Sequence, residues 1–257
     1  MKKKQDYLPG CTAVSFIARS SAMANDFFRF KQFSIRHDRC AMKVGTDGVL
    51  LGAWGCTEGL SILDVGTGTG LIALMAAQRN LCAQVLGIDI DEAAVLQAQQ
   101  NIAASPFCHR IGCKLQDVLT FRPDAPFDAI LCNPPFFTED TLPDDNGRAL
   151  ARNNRCLPFD KLIPKVATLL SAEGHFSIIV PSRLAQEIVA LCLAEGLLLQ
   201  RRCEVRTVLH KPPRRTLFTF VFSSSLPPDV EHSNLCLTAP DGSRSVAYSE
   251  LTKAFYL

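Results

Sequence analysis

Several patterns that would give this chain a quick reading are missing from it. No two cysteines stand in a C-x-x-C pair; the eleven are scattered from Cys11 to Cys236, and the Cys108, His109, Cys113 group has no second ligand pair. A structural zinc site is therefore not expected, and no metal is assigned. An odd, unpatterned set of thiols, some in apolar runs such as Ala129-Ile130-Leu131-Cys132, reads instead as free cysteine in a reducing cytoplasm. No uncharged apolar run reaches the roughly 18 residues that a membrane helix needs. Charge of one sign is also scarce. A formal net charge of +2 is too small to imply a nucleic-acid partner unless the cations cluster locally.

What is present suits a globular α/β chain. Hydrophobic residues make up 47% of the sequence and charged residues 20%, enough for a sizeable core and too few charges for extended disorder. Met1-Lys2-Lys3-Lys4 opens like a secretory leader, but Pro9, Gly10, Ser15 and Arg19 interrupt the apolar stretch such a leader requires. Residues 1–26 are expected to be a flexible tail, with Met23 as an alternative start. Residues 27–257 are expected to form a single domain, with an approach segment at 27–60 and an extension at 224–257.

Periodicity supplies the elements. Aromatic and basic residues interleave in Phe27-Phe28-Arg29-Phe30-Lys31-Gln32-Phe33. That is the pattern either of a nucleic-acid surface or of a half-exposed strand with its rings turned inward. A short apolar helix is expected over 49–54. Apolar runs at 61–65, 84–89, 111–115 and 127–132 read as strands, and helical patterns at 71–78 and from Asp91 through Asn101 fall between them. In the second helix Val95, Ala98 and Ile102 share a face, and Asp89 or Asp91 caps it. Further on come a helix at 159–170, a buried strand at 174–180, and a helix at 182–195 capped by Ser182 and closed at Gly196. Strands at 203–209 and 216–223 flank His210-Lys211-Pro212-Pro213-Arg214-Arg215 and are expected to pair as an antiparallel hairpin at the sheet edge. Alternating strands and helices imply a mostly parallel, doubly wound sheet covered on both faces. The polar connector after Asn133 is long, as lids and mobile loops are.

The chemistry gathers at the strand ends. Leu63-Asp64-Val65-Gly66-Thr67-Gly68-Thr69-Gly70 ends the first core strand in three glycines, which let backbone turn sharply and approach a ligand closely. Leu71 stands where the dinucleotide fingerprint needs its last glycine, and there is no phosphate-loop lysine. Asp89, ending the second strand, is placed to accept both hydroxyls of an unphosphorylated ribose. Asp117, after the third, can accept an adenine amino hydrogen while the Val118 amide donates to the ring. Asp64 can hold a cationic group or the loop's own amides; Asp91 is better read as a helix cap. The fourth strand ends in Asn133-Pro134-Pro135-Phe136. An exocyclic amine on a planar ring is a poor nucleophile, because its lone pair is delocalised. If the Asn133 side-chain oxygen and the Pro134 carbonyl each accept one amine hydrogen, the nitrogen can pyramidalise and aim that pair. Phe136 offers a flat face for a base, a contact worth ~1–3 kcal/mol.

The glycine loop, Asp89 and Asp117 together resemble the S-adenosylmethionine site of class I, Rossmann-like methyltransferases, over roughly residues 63–222. The resemblance implies cofactor contacts at Asp64, Gly66, Gly68, Gly70, Asp89, Ile90, Asp117, Val118 and Asn133. The tetrapeptide is similar to the [DNS]PP[YF] motif of enzymes that methylate planar nitrogens, which include adenine amines, guanine amines and the glutamine amide. The flanks Phe30-Lys31-Gln32-Phe33, the 37–54 stretch and the 251–257 segment resemble bacterial tRNA(Val) adenine-N6 methyltransferases, although Phe136 replaces the tyrosine usual there. This likeness implies tRNA as partner, with Lys31, Arg36, Arg39, Arg148, Arg152, Arg155, Lys211, Arg214 and Arg215 as candidate RNA contacts. The alternatives are glutamine-N5 methylation of a release factor, guanine-N2 methylation of rRNA, and a non-catalytic RNA-binding module.

Overall fold

The alternation of apolar strands with helices becomes an eight-stranded sheet in the computed structural model, which describes residues 27–38, 44–135, 157–222 and 229–257. In chain order the elements are β1 (Phe27–Arg29), β2 (Ser34–Arg36), α1 (Thr46–Trp54), β3 (Ser61–Val65), α2 (Leu71–Arg79), β4 (Gln84–Asp89), α3 (Glu92–Ala103), β5 (Ile111–Leu115) and β6 (Phe127–Cys132). There follow α4 (Phe159–Leu169), β7 (Leu170–Pro181), α5 (Ala185–Ala194), β8 (Leu197–Arg206), β9 (Arg215–Phe222), β10 (Glu231–Cys236) and α6 (Val246–Thr252). The expected tail, residues 1–26, lies outside the described residues.

Across the large sheet the order is β10-β8-β9-β7-β6-β3-β4-β5. From β3 the chain winds outward through β4 to β5, then returns to the other side of β3 as β6. Strand order thus reverses between β3 and β6, and in such sheets the ligand crevice opens beyond the strand ends at that reversal. Side chains divide by the two-residue period of the strands. Ile62, Leu131, Ile179 and Leu217 join one core with α1, α2 and α3, while Leu63, Ile130, Ile178 and Phe218 join the other with α4 and α5.

The antiparallel hairpin is present, with β8 and β9 paired from Leu197↔Phe222 to Val205↔Arg215. Its place differs from the expectation. β9 inserts against β7, and β10 adds in parallel outside β8, so the hairpin is not the edge. The Glu231–Cys236 segment carries no apolar alternation, and only Leu235 in it is buried, which is why it escapes sequence reading. Helix α1 begins at Thr46, three residues before its apolar run. Ser182 does not cap α5: its hydroxyl accepts from Thr216 Oγ1 at 3.0 Å, and a single 3-10 turn intervenes before Ala185. Gly196 does close that helix, at φ +76°.

In the aromatic-basic segment the inward reading holds. β1 and β2 form a small ladder whose Phe30 and Phe33 are buried, with ring centroids 4.8 Å apart. Phe30 also stacks on Tyr256, and the Lys31 amide donates to the Phe255 carbonyl at 2.8 Å. Segments 222 positions apart are thereby joined, with Lys31 Nζ donating to the Lys253 carbonyl as well. Phe255 is 1% exposed at this junction. Truncating so buried an aromatic costs about 3–5 kcal/mol. Phe255→Ala is expected to lower unfolding free energy by that amount in urea titrations, with the midpoint shifting and the slope unchanged.

Candidate functional site

Three adjacent parallel strands end level with one another. Val65 of β3 pairs with Ile88 of β4 on one side and with Cys132 of β6 on the other, and Asp89 pairs with Leu115 of β5. The next residues, Gly66, Asp89 and Asn133, therefore emerge side by side at the reversal point.

Asp64 anchors this edge. Its side chain is fully buried; Oδ2 accepts from Thr67 Oγ1 at 2.7 Å and from the Ala73 amide at 3.1 Å, in the first turn of α2. The loop turns around that carboxylate at Gly66, Gly68 and Gly70, whose φ angles of +70°, +54° and +80° suit glycine alone. Oδ1 of Asp64 is buried with no partner among the described residues. Burial raises the Asp64 pKa to about 7, against the lowering by the two donors, and the nearby Asp89 charge adds to the rise.

Asp89 closes the loop from below. Its Oδ2 accepts from the Gly68 amide at 2.9 Å and its Oδ1 from the Asp91 amide at 3.0 Å. Each carboxylate oxygen retains a second lone pair, so a diol can still be accepted bidentately. Asp91 caps α3, its side chain accepting from the Ala93 amide. Ile90, beside Asp89, is 44% exposed and offers an apolar surface. Asp117 Oδ1 accepts from the Leu119 amide at 2.9 Å, leaving Oδ2 for a ligand. The Val118 side chain is buried, so only its backbone can meet a ligand there. A cavity of about 920 Å³ between the Leu119–Pro126 segment and α4 includes none of these residues.

Asn133 is half-buried and Pro134 buried. No hydrogen bond among the described residues occupies the Asn133 side chain. Gly48, in the first turn of α1, walls the position: a Cβ there would sit 3.1 Å from Leu71 Cδ2 and 4.0 Å from Asn133 Nδ2. The preceding Asp47 is ion-paired to Arg215 at 2.8 Å, both partly buried. This link between α1 and β9 fixes the wall. Phe136 lies outside the described residues.

Sequence reasoning missed several supports. Thr67 bonds Asp64 and also packs onto Gly87, where any Cβ would come within 2.6 Å of its hydroxyl. Buried Asn101 donates to the carbonyls of Thr69 and Arg36 and accepts from the Arg36 amide, tying β2 to the glycine loop. A polar residue on the apolar face of α3 was the available signal.

The candidate RNA contacts divide. Lys211 and Arg214 are exposed in the β8–β9 turn, at the same sheet edge as Asn133, and Arg36 is exposed beside the glycine loop. Arg215 is held by Asp47, and Lys31 by the Lys253 carbonyl. Arg39, Arg148, Arg152 and Arg155 lie outside the described residues.

Comparison with known proteins agrees with this geometry. Residues 47–187 match the family model described as methyltransferase small domain. A Bacteroides thetaiotaomicron protein named tRNA1(Val) (adenine(37)-N6)-methyltransferase is 44% identical over 91% of this chain and 99% of its own length. A Vibrio cholerae protein of the same name is 38% identical over 93% and 98%. The chain belongs to the tRNA1(Val) (adenine(37)-N6)-methyltransferase family. For the fold alone, a predicted O-methyltransferase from Agrobacterium tumefaciens superposes with a TM-score of 0.63 at 18% identity, over 81% of this chain and 96% of that one.

The cofactor of this methyltransferase is S-adenosylmethionine, and the residues fit it. The position of a Cβ on Gly66 meets nothing within 4 Å, so the loop has an open side, and the unpartnered Asp64 oxygen suits a cationic group. Asp64 would hold the amino-acid end, Asp89 the ribose, and Asp117 with the Val118 amide the adenine. Cys132, next to Asn133, is no rival nucleophile, because burial pushes its thiol pKa far up.

With the folded pKa of Asp64 raised, the folded state holds a proton that the unfolded state releases. Its contribution to stability is present below 3.8 and is lost as pH rises to about 7. Asp64→Asn is expected to flatten that loss, on the order of a few kcal/mol, in urea titrations across this window. Calorimetry should show S-adenosylmethionine binding the parent more tightly as pH rises through about 7, and Asp64→Asn losing that dependence.

Proposed function

We propose that this methyltransferase transfers the methyl group of S-adenosylmethionine to N6 of an adenosine in tRNA, the one beside the anticodon of tRNA(Val). The carrying observation is the level emergence of Gly66, Asp89 and Asn133 from three neighbouring strands. It sets a nucleoside-binding loop against an amine-orienting Asn-Pro pair.

When bound, the cofactor supplies an electrophilic methyl on a sulfonium centre. What this chain must do is orient the acceptor. In the proposed reading the Asn133 side-chain oxygen and the Pro134 carbonyl each accept one amine hydrogen, which localises the lone pair on N6. Pro134 and Pro135 restrict the backbone, and the absence of a side chain at Gly48 leaves room beside the asparagine amide. No charged base is needed to start the transfer, and the surplus proton on the product nitrogen leaves to water. Positioning of this kind supplies on the order of 7–11 kcal/mol of barrier reduction.

The glutamine-amide and guanine-amine alternatives share the tetrapeptide, but relatives matching nine-tenths of the chain carry the adenine-N6 name. For the RNA, exposed Lys211 and Arg214 at the mouth, with Arg36, are the proposed phosphate contacts. Arg215 is reassigned to support Asp47. A cytoplasmic setting suits both the substrate and the eight free described thiols.

Asn133→Ala is expected to lower turnover about a hundredfold or more with cofactor affinity nearly unchanged. Asp89→Ala should instead weaken S-adenosylmethionine binding about ten- to a hundredfold, as loss of a charged hydrogen-bond acceptor does. Equal effects of both on cofactor binding would falsify the division of roles. Neutralising Lys211 and Arg214 together should shrink the salt dependence of tRNA binding by about 0.7–0.9 for each phosphate no longer neutralised. An unchanged slope would take this turn off the RNA surface.

A further inference from the structure

At the opposite sheet edge from the glycine loop, three donor groups converge that no local spacing announces. Cys56 and Glu58 lie in the connection between α1 and β3, and His175 lies early in β7. The Cys56 sulfur, a Glu58 carboxylate oxygen and an imidazole nitrogen of His175 all lie within 4.8 Å of one another. We propose that Cys56, Glu58 and His175 bind a divalent transition-metal ion, with Zn2+ the best match to their chemistry.

Thiolate, imidazole and carboxylate are the three ligand types that Zn2+ accepts together. In a tetrahedral site their donor atoms stand roughly 3.3–3.7 Å apart, so closure asks for a movement of about 1 Å. The mobile partner is available: Cys56 is buried and its amide donates to Ser177 Oγ at 3.0 Å, whereas Glu58 is exposed. The Gln200 side-chain amide lies beside the ring, its Nε2 3.5 Å from His175 Nε2; with the amide turned so that its oxygen accepts from Nε2–H, Nδ1 is the nitrogen left to bind the metal.

The surroundings favour a cation. The three groups open onto a cavity of about 460 Å³ lined also by Gln200, Arg201, Asp229 and Glu231. Three carboxylates there, Glu58, Asp229 and Glu231, face the Arg201 guanidinium, and Arg79 behind Cys56 is turned to the Gly52 and Gly55 carbonyls. The Arg201 guanidinium is drawn aside, paired to Glu231 at 3.0 Å and lying over the Trp54 ring at 4.4 Å. The fourth position of the metal is left to solvent. Because Cys56 follows the C-terminal end of α1 while Gly48 near its start walls Asn133, a bound ion would clamp the far end of the helix that shapes the acceptor pocket. Its role is to stabilise this arrangement, and the methyl transfer itself does not run through it.

The test uses full-length protein stripped with a chelator. Calorimetric titration with Zn2+ is expected to show about one saturable equivalent, and Co2+ a thiolate-to-metal charge-transfer band. Cys56→Ser should abolish the band, and His175→Ala and Glu58→Gln should each weaken Zn2+ binding about tenfold or more. Cys108→Ser, an exposed thiol elsewhere, should change nothing. Zn2+ should raise the melting temperature of the parent but not that of Cys56→Ser. Glu58→Gln alters an exposed side chain and so tests the site even if a buried-residue variant fails to fold. Absence of saturable Zn2+ binding, a Co2+ band that survives Cys56→Ser, or Zn2+ affinity unmoved by Glu58→Gln overturns the proposal.

Discussion

The buried carboxylate of Asp64 is the interaction on which the methyl-transfer edge depends. It sits inside the core at the end of β3 and accepts from both the loop, through Thr67, and the first turn of α2, through Ala73. A strand, a left-handed turn and a helix start are thereby pinned to one group. With both donors on Oδ2, Oδ1 is left without one among the described residues, and an ionised acid there is costly until something cationic arrives. Stability is thus given up at the place where the ligand is needed, as buried functional groups commonly require.

Around this post the sheet sets the levels and α1 sets the wall. Parallel register brings Gly66, Asp89 and Asn133 to the same height. Helix α1, buried from Gly48 to Trp54, is held at its start by the Asp47–Arg215 pair and lies against α2. A cation that by sequence belongs to the basic β8–β9 turn is thus part of the frame. The same turn leaves Lys211 and Arg214 outward, so one short stretch serves both packing and the solvent-facing surface.

Much of this was legible in the chain because the signals were local. Strand ends are marked by where apolar runs stop, and Asp64, Asp89, Asp117 and Asn133 stand at such stops. What was not legible depends on partners far apart in sequence. The Thr67–Gly87 contact, the reach of Asn101 to Thr69 and Arg36, and the Asp47–Arg215 pair exist only once strands and helices are assembled. The edge position of the hairpin was misjudged for the same reason. β10 has the polarity of a loop, and it is a strand because β8 presents it a free row of backbone groups. Ser182 stands where a cap belongs, but its hydroxyl accepts from Thr216 across the sheet, a partner 34 positions away.

The junction between Lys31 and the Lys253–Tyr256 segment bears on how the molecule is made. β1 and β2 leave the ribosome early, yet the aromatic ring that Phe30 stacks on, Tyr256, lies near the far end of the chain, as does Lys253, 222 positions beyond Lys31. Until that end emerges the hairpin has no roof, and two short strands alone are not stable in water. Arg36, whose backbone is tied through Asn101 to the glycine loop, belongs to that hairpin. The flank of the glycine loop is therefore completed by late-emerging sequence. A nascent chain can assemble the ends of β3, β4 and β6 well before the hairpin beside them is seated.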